Sequence, residues 1–260
     1  MTATSARVLV TGAGSGLGAA LAHAFGARGD RVLATDRSEE GLAGFGHRLR
    51  LDITSDDDWA AARAWVEREW GGLDVLVNNA GVAGGGRIDV APLEEWAPLV
   101  EVNLLGTVRG TRTFVPVFKE QRSGTIVNVA SLAGLVHPAG MASYNAVKAA
   151  VVAFTETAGH ELAAYGVHCA VVCPSYFRTN LMAGMRGADQ RVGEVVAGLV
   201  ERSPFSAADI AAAVLAGIDR RDELIIPDEA ARKAWLLKQN DRAAYDAVMR
   251  QQAAKLNQVT

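Results

Sequence analysis

The chain has 260 residues, half of them hydrophobic, and a net charge of −3 at pH 7. That length and apolar content suit one large buried core, so a single domain is expected. The acidic balance argues against a nucleic-acid-binding surface, and no apolar run is long enough to span a bilayer.

Short apolar segments alternate with helical patterns along the whole chain. The expected strands are residues 7–11, 31–36, 48–52, 73–77, 125–130, 167–173 and 223–226. This alternation is typical of α/β proteins in which helices cover both faces of a parallel sheet. We therefore expect residues 1–260 to form one three-layer α/β/α domain around a doubly wound parallel sheet.

A glycine-rich turn follows the first strand, with glycines at Gly12, Gly14, Gly16 and Gly18. A strand, a glycine turn and a helix form a geometry in which backbone N–H groups and a helix N-terminus bind a pyrophosphate. The spacing is Thr-Gly-x-x-x-Gly-x-Gly, and no Gly-Lys-Ser/Thr follows, so a nucleoside-triphosphate P-loop is not expected. Taken alone, the turn is also compatible with a tight connection.

The second strand ends at Asp36. A carboxylate at this point accepts hydrogen bonds from the adenosine ribose of NAD and repels the 2′-phosphate of NADP. Ser15 occupies the turn position where a basic side chain would attract that phosphate. Arg37 is able either to pair with a 2′-phosphate or to stack on the adenine. Together these residues favour NAD, with NADP as the less favoured cofactor.

Tyr144 and Lys148 lie four residues apart on a predicted helix and therefore share one face. The ammonium favours the phenolate and is expected to lower the tyrosine pKa from its ordinary value of about 10. A tyrosine placed in this way serves as a general acid or base near neutral pH. Alone, such a pair is common on solvated helices.

The remaining motifs complete a resemblance to the classical short-chain dehydrogenase/reductase family. The motifs are Thr11-Gly12-x-x-x-Gly16-x-Gly18, Asn78-Asn79-Ala80-Gly81, Asn103, Ser131, Tyr144-x-x-x-Lys148, and Pro174 followed by Thr179. They resemble the family's motifs in order and spacing over residues 11–179. The resemblance implies a Rossmann-like fold of seven strands. It also implies reversible hydride transfer between NAD(P) and a carbonyl or secondary alcohol carbon.

The resemblance implies a role for each member of a catalytic tetrad. Tyr144 would exchange a proton with the substrate oxygen, and Lys148 would lower the pKa of Tyr144 and hydrogen-bond the nicotinamide ribose. Ser131 would hold the substrate oxygen, and Asn103 would anchor a water that links Lys148 to a proton relay. In isolation, Ser131 and Asn103 are better explained as ordinary turn or helix-capping residues.

The same resemblance assigns the cofactor contacts. It places Asp52 and Ile53 at the adenine, the backbone of Asn78-Asn79-Ala80-Gly81 at a ribose, and Thr179 at the nicotinamide carboxamide. The expected contacts are Gly12, Ser15, Gly16, Leu17, Gly18, Asp36, Arg37, Asp52, Ile53, Asn79, Ala80, Gly81, Tyr144, Lys148 and Thr179. One departure from the family is Ser175, where Pro-Gly is common. It puts the shape of the pocket mouth in question and leaves the chemistry unchanged.

Substrate contacts are expected from Ser131, Tyr144 and Phe177, and from residues 178–206. That segment forms either a lid over an apolar substrate or an amphipathic helix packed on the core, and analogy with the family favours the lid. Its apolar residues are Leu181, Met182, Met185, Val192, Val195, Val196, Leu199 and Phe205. A medium-sized apolar alcohol or ketone is the expected substrate.

Residues 228–260 form a predicted helical extension beyond the last strand. Tyr245, Val248, Met249 and Leu256 share one face at helical spacing. Such a helix could pack on its own subunit, cover the active-site mouth, join a dimer, or lie on a membrane, and its mixed charge disfavours the last. Family members commonly associate through the helices containing residues 104–122 and 143–163, so a homodimer or homotetramer is expected.

The cysteines and histidines suggest no further chemistry. Cys169 and Cys173 lie four apart on one predicted strand, too far apart to form a disulfide, and fit small core residues of a cytoplasmic protein. No cluster of His, Cys, Asp and Glu indicates a metal site. His137 is compatible with a pocket-lining role but is better explained as a loop histidine.

Two other functions compete with that of an NAD-dependent alcohol dehydrogenase or ketone reductase. An NADPH-dependent 3-oxoacyl reductase is disfavoured by Asp36 and by the C-terminal extension. A redox sensor that binds a dinucleotide without turnover would be expected to have lost part of the tetrad, which is complete here.

Overall fold

The computed structural model describes residues 5–179 and 187–258. Within them the strands are β1 (Arg7–Thr11), β2 (Arg31–Asp36), β3 (His47–Arg50), β4 (Val75–Asn78), β5 (Gly124–Val129), β6 (Val167–Val172) and β7 (Leu224–Ile225). They form one parallel sheet in the order β3-β2-β1-β4-β5-β6-β7. The predicted doubly wound α/β fold is confirmed, with every strand end within two residues of its predicted bound.

Helices connect the strands and extend the chain past β7. They are α1 (Gly16–Ala27), α2 (Asp56–Trp70), α3 (Trp96–Leu99), α4 (Gly106–Gln121), α5 (Ala133–Val136), α6 (Ala142–Leu162), α7 (Gln190–Glu201), α8 (Ala207–Asp219), α9 (Glu229–Asn240) and α10 (Arg242–Asn257). A π-helical segment, Val100–Leu105, leads into α4. Local sequence sets several helix starts. At α8, for example, Ser206 and Asp209 form a reciprocal capping box.

Two apolar layers sandwich the sheet because successive strand side chains point to opposite faces. Val8 and Val10 face one layer, formed with α1 and α8. Leu9 faces the other, formed with α2, α4 and α6, where Trp59 is 1% exposed. Burying each such aliphatic side chain contributes about 1.5–3 kcal/mol. These two layers hold the sheet in place and thereby position the carboxyl ends of its strands.

Hydrogen bonds join the carboxyl ends of β1 and β4 at the point where the strand order reverses. Thr11 Oγ1 accepts hydrogen bonds from the backbone N–H groups of Asn79 (3.0 Å) and Ala80 (3.1 Å). The Asn79 side-chain amide donates to the Thr11 carbonyl at 2.9 Å. In open α/β sheets, ligands bind in the crevice outside this reversal.

The C-terminal extension packs on its own subunit. Tyr245 of α10 donates its hydroxyl proton to the carbonyl of Val136, and Lys238 of α9 contacts His137 Nδ1 at 2.7 Å. Of the four apolar residues predicted to share one face of α10, Tyr245 and Leu256 are buried, whereas Val248 is 42% exposed. None of the helices in the described residues is long and apolar enough to cross a membrane.

Candidate active site

The glycine turn after β1 adopts backbone conformations that other residues rarely reach. Gly12 and Gly16 have φ values of +67° and +56°. Gly18 is required for a different reason, since a Cβ there would lie 2.0 Å from the Gly12 carbonyl oxygen and 2.5 Å from Asn79 Nδ2. The turn and the first turn of α1 therefore pack directly on the end of β4.

The start of α1 opens onto a cleft. Ser15 precedes the helix in extended backbone and is exposed, whereas Leu17 is buried in the apolar layer below. The first N–H groups of a helix have no partner within the helix, and its N-terminus carries partial positive charge. Thr179 lies across this turn, because a Cβ on Gly16 would be 2.9 Å from Thr179 Oγ1.

Asp36 is held over the glycine turn by two backbone hydrogen bonds. Its Oδ2 accepts from Gly14 N at 3.0 Å, and its Oδ1 accepts from Ser38 N at 3.2 Å. These bonds fix the carboxylate at the end of β2, where it lines the cleft. Arg37 is exposed and lines the same part of the cleft.

Asp52 and Ile53 line the cleft beside Asp36. The backbone N–H and the hydroxyl of Thr54 donate to Asp52 at 2.9 and 2.7 Å and lower the pKa of that carboxyl. Ile53 is buried, and its carbonyl accepts a hydrogen bond from the Trp59 indole at 3.0 Å. This pair is therefore anchored to α2.

Asn103 supports the loop after β4. Its Oδ1 accepts from Val82 N at 2.8 Å, and its Nδ2 donates to the Val82 carbonyl at 3.0 Å. The side-chain amide is thus engaged with Val82, and the backbone carbonyl of Asn103 accepts a bond from Thr107 Oγ1 at 3.1 Å. Asn103 lies in the π-helical segment before α4.

Three members of the predicted tetrad come together where β5 ends and α6 begins: Ser131, Tyr144 and Lys148. Lys148 is 5% exposed, and its ammonium donates to the Val129 carbonyl at 3.1 Å. Its Nζ lies 5.7 Å from the centre of the Tyr144 ring. Ser131 hydrogen-bonds with Tyr144, and its hydroxyl also accepts from Ala133 N at 3.2 Å. Ser131 is thus both a turn residue and a neighbour of the phenol.

The direction of the Tyr144 pKa differs from the sequence prediction. Burial raises the Tyr144 pKa to about 12, and the hydrogen bond with Ser131 only partly opposes this. Burial also lowers the Lys148 pKa to about 8. In the protein chain itself, desolvation of the phenol therefore raises its pKa, opposite to the predicted direction.

An apolar wall faces Tyr144. It is formed by Met141, Val192, Val196 and Leu256, and Tyr144 and Tyr176 pack against it. The Tyr176 hydroxyl lies 3.8 Å from Met141 Sδ.

Phe177, predicted to contact substrate, is mainly part of the core layer with α1 and α8, although it also borders the cleft. Met141, a member of the apolar wall, was not predicted as a site residue because nothing in its local sequence marks it.

Part of the segment 178–206, predicted as a lid or as a packed amphipathic helix, forms α7. Val192 and Val196 of this helix are buried in the apolar wall, whereas Val195 and Leu199 are partly exposed at the cleft. Leu181, Met182 and Met185 lie outside the described residues. Helix α10 contributes Met249 and Leu256 to the same cleft.

An ion pair joins the loop after β4 to the start of α7. Arg87 Nε donates to Asp189 Oδ2 at 2.8 Å, and Arg87 N donates to the same oxygen at 2.9 Å. Arg87 Nη1 also donates to the Leu256 carbonyl at 3.2 Å. Sequence reasoning missed this connection, although Asp189 has the position of an N-cap residue before α7.

His137 does not border the cleft. Its ring contacts Lys238 through Nδ1 and the Gly134 carbonyl through Nε2 at 3.1 Å. Burial is the main cause that lowers its pKa. The prediction of a loop histidine outside the pocket is consistent with this position, and the ring serves as an attachment point for α9.

The predicted site residues border one continuous cleft of about 1150 Å³. It runs from the glycine turn and Asp36, past Asn79, to Ser131, Tyr144 and Lys148, and ends at the wall formed by α7 and α10. Such a volume is at the upper end of what small-molecule and cofactor sites provide. A charged, glycine-lined end and an apolar end therefore meet at the half-buried Tyr144.

Comparison with known proteins gives consistent matches. Residues 6–190 match the family model described as short chain dehydrogenase. The chain is 36% identical over 227 residues to 2-(R)-hydroxypropyl-CoM dehydrogenase of Xanthobacter autotrophicus, covering 81% of this chain and 91% of that protein.

Two solved structures share the fold over nearly the whole chain. A short chain dehydrogenase/reductase from Burkholderia phymatum in complex with NAD has a TM-score of 0.85 at 28% identity, covering 94% of this chain and 96% of that one. One from Burkholderia cenocepacia in complex with NADP has a TM-score of 0.82 at 28% identity, covering 96% and 99%.

Proposed function

Because the chain belongs to the short-chain dehydrogenase family, we propose that it is an NAD-dependent secondary-alcohol dehydrogenase or ketone reductase. One observation carries the proposal: Tyr144, flanked by Ser131 and Lys148, borders the same cleft as the glycine turn and Asp36. Both a dinucleotide and a small alcohol need to reach that phenol.

The cofactor end of the cleft fits a dinucleotide. A Cβ at Gly14 would lie 2.9 Å from Asp36 Oδ2, so only a glycine lets the backbone of the turn come this close to the Asp36 carboxylate. The backbone at the start of α1 would hold the pyrophosphate, Asp36 the adenosine ribose, and Asp52 with Ile53 the adenine. NAD is preferred over NADP because the fixed Asp36 carboxylate repels a 2′-phosphate. When bound, the nicotinamide supplies or accepts the hydride.

Tyr144 is the proposed general acid and base. It gives its proton to a ketone oxygen in reduction and takes the hydroxyl proton in oxidation, and a positioned group of this kind contributes about 10²–10⁴-fold. Ser131 holds the substrate oxygen beside the phenol. Lys148 hydrogen-bonds the nicotinamide ribose, and the Asn103 carbonyl holds a water in the path of the proton.

The substrate end suits a medium-sized molecule with an apolar body. The wall of Met141, Val192, Val196 and Leu256 supports this, as does the position of Tyr176 beside it. We propose that residues 178–206 and α10 together cover the substrate, with Phe177 as a minor contact. The relative from Xanthobacter autotrophicus is named for a secondary alcohol, 2-hydroxypropyl-CoM, in agreement with this reaction type.

A cytoplasmic homo-oligomer is the proposed form of the protein. Cys169 and Cys173 are both free and buried, as suits a reducing compartment. We propose association of two or four subunits through α4 and α6, the helices that pack on one face of the sheet.

The proposal is tested by following NADH formation from NAD across a panel of secondary alcohols, with NADP in parallel. Tyr144→Phe serves as the matched control because it removes one hydroxyl. Loss of turnover with retained NADH binding supports an enzyme. Unchanged NADH binding in both proteins without turnover on any alcohol would instead support a dinucleotide sensor.

A further inference from the structure

The substrate end of the cleft carries two cationic side chains, Arg191 in the first turn of α7 and Lys255 in the last turn of α10. Arg191 Nη2 donates to the Lys255 carbonyl at 2.8 Å, and Arg191 Nη1 donates to the Gln258 carbonyl. These acceptors are neutral. Within residues 5–179 and 187–258, neither cation forms an ion pair with a carboxylate, and the nearby Asp189 is already paired with Arg87.

Both cations lie next to residues that face the reacting phenol. Arg191 precedes Val192 and Lys255 precedes Leu256, and those two apolar side chains belong to the wall against which Tyr144 packs. Arg191, Lys255 and this wall border the same cleft. A substrate whose carbinol lies at Tyr144 would therefore pass the apolar wall on its way to the two charges.

The carboxylates that border the cleft lie at one end of it. Asp36, Glu40 and Asp52 border it, together with the cation Arg37, at the glycine-turn end, whereas Arg191 and Lys255 border it at the other end. An anion bound between Arg191 and Lys255 would be attracted by both cations. A favourable interaction with the C-terminus of α10 explains why cations occur near that helix end. It does not explain why both of them border the cleft.

We infer that the substrate is a hydroxy acid or oxo acid whose carboxylate or sulfonate group binds to Arg191 and Lys255. The inference rests on the proposed function for the reacting carbon and names the chemistry at the far end of the substrate. Arg191 has free N–H groups besides the two that bond carbonyls, and Lys255 offers an ammonium with three donors. Charge-assisted bonds to such an anion are stronger than bonds between neutral groups.

A binding experiment tests the anion site without relying on turnover. Hexanoate, hexane-1-sulfonate and hexanamide are titrated calorimetrically into the protein in saturating NADH. Both acids should bind about tenfold more tightly than the amide, the difference expected for one or two charge-assisted contacts. Equal binding of acid and amide, or no binding of either acid, would overturn the inference.

Variants assign the effect to the two cations. Lys255→Gln and Arg191→Gln should each weaken acid binding several-fold and leave hexanamide binding unchanged. Arg250→Gln, an exposed cation of α10 that does not border the cleft, is the matched control and should change neither. Because Arg191 also holds the end of α10, Lys255→Glu provides a second test that keeps Arg191. It should weaken acid binding more than Lys255→Gln, and unchanged acid binding in both Lys255 variants would contradict the site.

Turnover then separates this inference from the proposed function. The ratio of kcat/KM for 5-hydroxyhexanoate to that for its amide should exceed about ten and fall toward one in Lys255→Gln. Oxidation of neutral alcohols without preference for the acid would leave the proposed function intact and refute the anion site. Absence of oxidation of any alcohol would refute the proposed function, and the calorimetric comparison would still decide the anion site.

Discussion

Arg87 and Asp189 form an ion pair at 2.8 Å in which the Asp189 side chain is fully buried and Arg87 also bonds the carbonyl of Leu256. One side chain thereby ties the loop after β4 to the start of α7 and the end of α10. These are the three segments that surround the substrate end of the cleft. The pair therefore links the segments around that end to one another.

Replacing Asp189 with Asn should destabilise the protein, because the Arg87 guanidinium loses its charged acceptor at a buried position. We expect Tm to fall by roughly 5–10 °C and KM for the substrate to rise, with NADH affinity unchanged. Thermal unfolding and kinetics check this. Glu67→Gln, which breaks the exposed pair with Arg63 on α2, is the control and should leave both nearly unchanged.

The stabilisation by Asp189 should also depend on pH. Burial raises the Asp189 pKa, but hydrogen bonds from Arg87 and Val192 lower it by more, so the folded-state pKa lies below the unfolded value. The contribution is therefore complete above the unfolded pKa and is lost as pH falls through the folded one. The Tm difference between wild type and Asp189→Asn should be largest near neutral pH and shrink below about pH 4. A Tm difference at pH 3 as large as the one at neutral pH would argue against the charge as its cause.

Gly18 and Gly26 offer a matched pair on α1. Gly18→Ala should abolish NADH binding and destabilise the fold, since its Cβ would meet the Gly12 carbonyl at 2.0 Å. Gly26→Ala meets nothing within 4 Å and should stabilise the protein by about 0.5–1 kcal/mol through helix propensity. Denaturant unfolding and NADH titration distinguish the two. Normal NADH affinity in Gly18→Ala would contradict the described turn.

Asp36 should decide the choice between the two dinucleotides. Asp36→Ser removes both the ribose acceptor and the repulsion of a 2′-phosphate. The ratio of kcat/KM for NAD to that for NADP should therefore fall by about 10–100-fold. Asp57→Ser removes the same charge from the exposed first turn of α2 and is the control. An unchanged ratio in Asp36→Ser would assign cofactor choice to Arg37 or to another residue.

Tyr144 should remain protonated in the cofactor-free protein well above neutral pH. Burial raises its pKa to about 12, so the absorbance difference between wild type and Tyr144→Phe should contain no phenolate signal up to about pH 10. A phenolate that appears near pH 7 without cofactor would show that Lys148 alone overcomes desolvation.

Much of the fold and the cofactor end could be predicted from the sequence because the determinants are local. The turn between Gly12 and Gly18, the alternation of strands and helices, and Asp36 at a strand end are each visible within a few residues.

The substrate end depends on contacts between distant segments, such as Met141 with Leu256 and Arg87 with Asp189, which no local pattern marks. The pKa of Tyr144 was mispredicted for the same reason, since Cys173 and Tyr176, whose electrostatic interactions also raise it, come from another part of the chain.

The measurement that tests the central claim most directly is NAD-dependent oxidation of a secondary-alcohol panel by wild type and by Tyr144→Phe, with NADH affinity measured for both. The account predicts turnover in wild type, a loss of about 10²-fold or more in the variant, and equal NADH affinity. Turnover that survives in Tyr144→Phe would contradict the assignment of Tyr144 as the acid and base.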